Sequence, residues 1–184
     1  MATLNISDRQ NRQLFYHTTS WVGANSITQQ IARHKGRTCL DFGLSPGFYM
    51  SDTLDTCVGW AQAKRQLFSS EVAILIFALP RVEQYPTSLK YRVINDPEWS
   101  QVTKHSRLCL GETNFTHDHP YIRTCDLLYG NMVSNPDAVK KHGKEPITHK
   151  LPLKQLVSKS DAADKFIRNC LVGCVFFQKA AAKA

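Results

Sequence analysis

Hydrogen-bonding and flat aromatic side chains gather in two stretches of this chain. The first is Phe15-Tyr16-His17-Thr18-Thr19-Ser20. The second is Asp41-Phe42-Gly43-Leu44-Ser45-Pro46-Gly47-Phe48-Tyr49-Met50-Ser51-Asp52, followed by Cys57 and Trp60. A histidine at the end of a strand can hydrogen-bond a substrate hydroxyl and titrates near neutral pH. A pair of aromatic rings suits a flat, cationic heterocycle, because stacking and cation–π attraction act together. Each residue also has an ordinary structural role: His17 as a satisfied structural histidine, Tyr49 as strand filler, Trp60 as helix packing. Arg107 suits either a pyrophosphate clamp or an ion pair at the edge of the core.

Two other groupings compete. Cys109, His117, His119 and Cys125 are metal-ligand types in one stretch, but their spacing fits neither C-x2-4-C nor H-x3-5-H. Cys170 and Cys174 lie in an apolar run without a second pair. No signature of a cysteine nucleophile surrounds any of the six cysteines. The chain has no GxGxxG and no Walker motif, so the phosphate cradles of dinucleotide-binding and P-loop folds are missing.

These side chains need elements to carry them. Residues 14–18 read as a short strand ending at His17-Thr18. Ser20 suits the cap of a helix through about residue 33. Residues 33–46 read as a loop, 47–50 as a strand, and Asp52 or Thr53 as the start of a helix carrying Leu54, Val58, Ala61 and Leu67. The unbroken apolar run 72–79 marks a strand covered on both faces. Residues 89–94 alternate as a more exposed strand. Asp96-Pro97-Glu98 opens a short helix with Asp96 as cap and Pro97 at the first position. Residues 108–120 read as a loop, 125–133 as a strand, 135–146 as a polar loop, 152–157 as a strand, 160–169 as a capped helix and 171–177 as a final strand. Helices are expected mainly in the first third and strands after residue 70, an α+β order.

With this placement, the two stretches resemble the ADP-ribosyltransferase superfamily, on the side that holds diphtheria toxin and the poly(ADP-ribose) polymerases. There a strand ends in His-Gly-Ser/Thr, and a later Gly-Phe-Tyr-like strand leads into a helix with an aromatic. The chain is also similar to a microbial branch marked by Asp-Phe-Gly-x-Gly-Phe-Tyr. Further matches are Trp99, Val102 and Arg107, the run Tyr121-Ile122-Arg123-Thr124-Cys125-Asp126-Leu127-Leu128-Tyr129-Gly130, and Gln155 followed by an alanine-containing helix. The resemblance covers roughly residues 14–168 and implies a split antiparallel β-sheet with an NAD cleft between its two sheets.

It also implies roles. His17 would hydrogen-bond a ribose hydroxyl of NAD⁺, and the Thr18 backbone would pair with the nicotinamide amide. Tyr49 and Trp60 would stack on opposite faces of the nicotinamide ring. Cys57 occupies the position where relatives often carry a serine that bonds the amide oxygen. Gln155 matches the position of the usual glutamate, which stabilises the oxocarbenium-like state; a neutral amide still accepts a hydrogen bond but brings no full charge. Catalysis would fall to His17, Tyr49 and Gln155. The acceptor of ADP-ribose would be a protein or nucleic acid, and water would make the chain an NAD glycohydrolase. The missing glutamate argues against chain elongation and keeps open a non-catalytic NAD- or nucleic-acid-binding module. Acceptor recognition would fall to the loops 33–46 and 108–120.

Composition sets the frame. The chain has 184 residues, 42% hydrophobic and 21% charged, with a net charge of +8. These values fit a soluble globular chain with one core. No apolar run approaches the roughly 20 residues of a membrane span, and residues 1–13 are polar with no signal-peptide core. An intracellular place, cytoplasmic or nuclear, with no membrane partner is expected. The sequons at Asn5 and Asn114 then carry little weight, and most cysteines are expected as buried small hydrophobes rather than a disulfide framework. The charge suits an acidic partner or a solvated surface with a basic tail. One domain is expected over residues 14–178, after a polar segment 1–13 and before a fraying tail 179–184.

Overall fold

The computed structural model describes residues 11–33, 38–68, 71–111, 113–151 and 153–177. Most of the polar segment 1–13, the tail 179–184, Pro152 and the Leu67 side chain lie outside the described residues. Among the described residues, seven strands, paired mostly antiparallel, and seven α-helices make a mixed α+β architecture. The described residues fall into two compact units. Unit 1 takes those up to Ile31, from Met50 to Tyr85 and from Lys165 onward; unit 2 takes those between Ala32 and Tyr49 and between Pro86 and Asp164.

Unit 1 is built on β1 (Arg12–Ser20), β3 (Val72–Pro80) and β7 (Leu171–Phe177). β3 pairs antiparallel with β1 along its whole length, from Arg12 opposite Pro80 to Ser20 opposite Val72. Its other edge pairs antiparallel with β7. Nearly every residue of β3 is buried, as the unbroken apolar run predicts. α1 (Trp21–Gln29) and α2 (Leu54–Phe68) both lie against β1 and β3. Ser20 caps α1 as expected, its hydroxyl accepting from the Gly23 N–H at 3.1 Å. α1 ends at Gln29, short of the expected residue 33, because Gln30 turns to extended backbone. Cys57, Ala61, Val72 and Ile74 form a core with Tyr16, Val58 and Phe177 at its edge. β2 (Phe48–Ser51) enters unit 1 at its end, where Ser51 pairs with Tyr16 of β1.

Unit 2 contains β4 (Tyr91–Ile94), β5 (Leu127–Asn131) and β6 (Lys154–Ser158). β4 and β5 run parallel, β5 and β6 antiparallel. Its core joins Phe42, Ile94, Trp99, Val102, Tyr121, Ile122, Leu128, Val133, Val139 and Val157. Here the expectation of few helices after residue 70 fails. α3 (Glu98–Arg107), α4 (Asn114–Asp118), α5 (Tyr121–Thr124), α6 (Pro136–His142) and α7 (Asp161–Asn169) all follow it.

α4 and α6 replace expected loops. α4 starts at a capping box in which Thr113 and Thr116 satisfy each other's backbone N–H. α6 carries Pro136 in its first turn and ends on Gly143 at φ 62°, in the left-handed region that glycine enters without a Cβ clash. The Tyr121–Thr124 turn delays β5 to Leu127. Pro97 itself, not Asp96, stands at the α3 cap and no side chain closes it. Ser160 caps α7 as expected, its hydroxyl accepting from the Ala163 N–H.

The cysteine reading needs correction. Cys39 and Cys109, 70 residues apart, form a disulfide with Cα atoms 5.3 Å apart. The folded loops bring the two within bonding reach. Cys57 and Cys170 are buried small side chains as expected, while Cys125 and Cys174 are half-buried.

Candidate functional site

In unit 1, β1 delivers His17 and Thr18 at its end, just before the Ser20 cap turns the chain into α1. His17 stands opposite Leu75 of β3 and is half-buried. Thr18 is buried, and its hydroxyl donates to the Cys57 carbonyl at 3.0 Å. That bond fastens the His-Thr strand to the first turn of α2. Cys57 is itself wholly buried in the core of unit 1. Burial raises the neighbouring Tyr16 phenol above its ordinary range, with a smaller push from Cys57. Trp60 lies one turn further along α2 and is 44% exposed, so it is not core packing. By contrast Trp99 is 2% exposed in the core of unit 2, with its indole N–H on the Asn131 carbonyl at 2.6 Å. Unit 1 therefore holds His17, Thr18, Cys57 and Trp60, with Thr18 bonded to Cys57.

Tyr49 and Gln155 belong to unit 2. Tyr49 packs against the edge of that core, and its phenol oxygen accepts from the Phe42 N–H at 3.3 Å. Burial, reinforced by the negative charge of Asp41, raises this phenol well above its ordinary range. Gln155 is buried on β6 and donates through Nε2 to Asp41 Oδ2 at 2.5 Å and, more weakly, to the Asn131 carbonyl at 3.4 Å. Asp41 is 2% exposed; its other oxygen takes the Arg107 guanidinium at 2.6 Å, and Oδ2 also receives the Val133 N–H at 3.4 Å. Arg107 thus forms the core-edge ion pair and not an exposed clamp. A buried carboxylate satisfied by a guanidinium, an amide and a backbone N–H carries its charge stably in the interior.

Sequence reasoning quoted Asp41 within its motif and gave it no role. The signal was an aspartate between Leu40 and Phe42, both apolar, where a buried charge needs a partner. That partner, Arg107, lies too far along the chain to be found by spacing. Lys159 was also missed. Its ammonium donates to the Phe42 carbonyl at 3.2 Å, and it lies against Gly43, where an added Cβ would meet Nζ at 2.9 Å. Burial pulls its pKa down to about 8, with Cys125 opposing the drop. Phe42 and Gly43 are thus held from both sides, by Tyr49 and Lys159.

The rival sites fare differently. Cys109 is bonded to Cys39, so it is no thiolate ligand beside His117, His119 and Cys125. Among the described residues no group of three His, Cys, Asp or Glu is placed to hold a metal ion. Burial raises the thiols of Cys125, Cys174 and Cys170, the last to about 11, away from the thiolate a nucleophile needs. Among the described residues no helix is long and apolar enough to cross a membrane. No protein-family model, no curated protein and no solved structure matches the chain.

Proposed function

We propose that the chain binds NAD⁺ and breaks its nicotinamide–ribose bond, as a mono-ADP-ribosyltransferase with a protein or nucleic-acid acceptor or as an NAD glycohydrolase with water. The observation that carries this reading is the Thr18–Cys57 bond. It fastens the His17-Thr18 strand end to the helix that carries Cys57 and the exposed Trp60. A half-buried imidazole suits a ribose hydroxyl, and a surface aromatic suits a flat cationic ring. Tyr49 and Gln155 complete the set by resemblance. Orientation of the scissile bond would supply most of the rate, since a neutral Gln155 adds a dipole and no full charge.

A second reading has its own support. Gln155 spends its amide hydrogens on Asp41 and Asn131, and a carboxylate at that position would face the buried Asp41. The neutral amide therefore fits its neighbours better than the family's glutamate would, which favours an NAD-binding module with weak or no catalysis. Nicotinamide release from NAD⁺, followed chromatographically with and without cell extract, separates the two. Release above the uncatalysed rate supports the enzyme. Binding of NAD⁺ by calorimetry without release supports the module, and neither binding nor release refutes both.

A further inference from the structure

The loops 33–46 and 108–120, expected to meet an acceptor, are tied to each other in unit 2. The Cys39–Cys109 disulfide joins them. Each cysteine stands two residues along the chain from one partner of the buried ion pair: Cys39 from Asp41, Cys109 from Arg107. Asp41 in turn holds Gln155 and the Val133 N–H. Both cysteines sit at φ 57°, in the left-handed region that residues with a Cβ enter reluctantly. Cys109 is exposed to solvent while Cys39 is buried. The covalent bond therefore joins two residues in unfavourable backbone conformations, and one of its sulfurs lies on a residue that a reductant can approach.

We propose that the Cys39–Cys109 disulfide is a redox clamp: a small dithiol opens it and loosens the Asp41–Arg107 pair that positions Gln155. In the exchange, a thiolate of the dithiol attacks one sulfur of the disulfide and expels the other as a thiolate, which takes up a proton. The second thiol of the reagent then displaces the remaining cysteine. The chain gains two electrons and two protons as two thiols, and the reagent leaves as a cyclic disulfide. Freed of the bond, Cys39 and Cys109 relax out of the left-handed region, and the segments bearing Asp41 and Arg107 move with them. Gln155 is held through Asp41 and so through the clamp. Only the meaning of Gln155 for catalysis rests on the proposed function.

The test is amide hydrogen exchange on the full chain with and without dithiothreitol, with thiol alkylation and mass to count the opened sulfurs. We expect two additional alkylated thiols under native conditions. Exchange should quicken tenfold or more in residues 38–44 and at 131–135, where Val133 donates to Asp41, while β3 of unit 1 is unchanged. A Cys39→Ser/Cys109→Ser chain should match the reduced protein and ignore the reagent. Three results overturn the clamp. The first is a disulfide that resists the dithiol in the folded chain. The second is reduction that leaves residues 38–44 and 131–135 unchanged. The third is a reduced state that does not stay folded, seen as acceleration spread equally to β3 or as a double variant that does not fold, since a switch requires a folded reduced state. The exchange readout contains no NAD⁺, so a chain that fails to cleave NAD⁺ leaves the clamp decidable.

Discussion

Gln155→Glu restores the carboxylate of the resemblance and places it against the Asp41 carboxylate. The present amide nitrogen lies 2.5 Å from Asp41 Oδ2. Two carboxylates in that geometry have their charge centres about 4 Å apart, and at an effective dielectric of about 20 they repel by about 4 kcal/mol. Arg107, on the far oxygen of Asp41, returns part of this. A net cost of about 2–3 kcal/mol is expected, equivalent to a rise of about two units in the pKa of the new carboxyl, at about 1.4 kcal/mol per unit. The new group then titrates at about 6.3 in the folded chain against about 4.3 unfolded.

The sign follows. Below about pH 4 the new carboxyl is protonated in both states and donates to Asp41, so the variant should be nearly as stable as the parent. Its deficit should open between about pH 4.3 and 6.3 and stay constant above. Urea unfolding at pH 4.5, 5.5, 6.5 and 8, compared pairwise with the parent, reads this difference. NAD⁺ cleavage is measured at pH 8, where the new carboxyl is ionised; a rise there would identify position 155 as the heir of the glutamate. Equal stability at pH 8, or a deficit that does not change with pH, refutes the Asp41–Gln155 geometry.

Four further outcomes are expected. His17→Ala and Trp60→Ala should each weaken NAD⁺ binding at least tenfold by calorimetry, while changing stability by less than about 1 kcal/mol, since neither side chain is buried core; a large drop in melting temperature in both would assign them to structure. Lys159→Met removes a group that binds its proton up to about pH 8 folded and about 10.5 unfolded. Between those values the parent gains stability as pH rises, so the variant should lose about 2 kcal/mol relative to the parent from pH 7.5 to 10 in urea unfolding; a flat difference would remove the buried ammonium. Gly59→Ala adds a methyl in open space on α2 and should raise stability by about 0.5–1 kcal/mol. Gly130→Ala meets the Ile94 carbonyl oxygen and the Phe42 ring at 2.9 Å and should cost about 1–3 kcal/mol by thermal melts.

What could be read from the residues was what is local. The apolar run of β3, the strand Leu171–Phe177 and the serine caps of α1 and α7 each depend on neighbours in sequence, and all were legible. α6 was not. It spans seven residues with one buried side chain, Val139, so it shows no apolar stripe, and its Pro136 and Gly143 read equally as loop punctuation. The site divides in the same way. His17 and Trp60 stood in recognisable stretches, but the meaning of Gln155 depends on Asp41, 114 residues away, and Asp41 on Arg107, 66 away. The Cys39–Cys109 bond spans 70 residues. Such pairings are set by how strands and loops pack, and single-sequence spacing carries no trace of them.

The order in which unit 1 is made follows from β7. Its central strand β3 has β1 on one side from the first half of the chain, but its other partner lies among the last described residues, Leu171–Phe177. Every residue of unit 2 has been synthesised before that strand leaves the ribosome. During that interval this apolar strand has one open edge, the kind of edge that invites pairing with another chain. The last described strand closes it, so a truncation before Leu171 would leave that edge of β3 open.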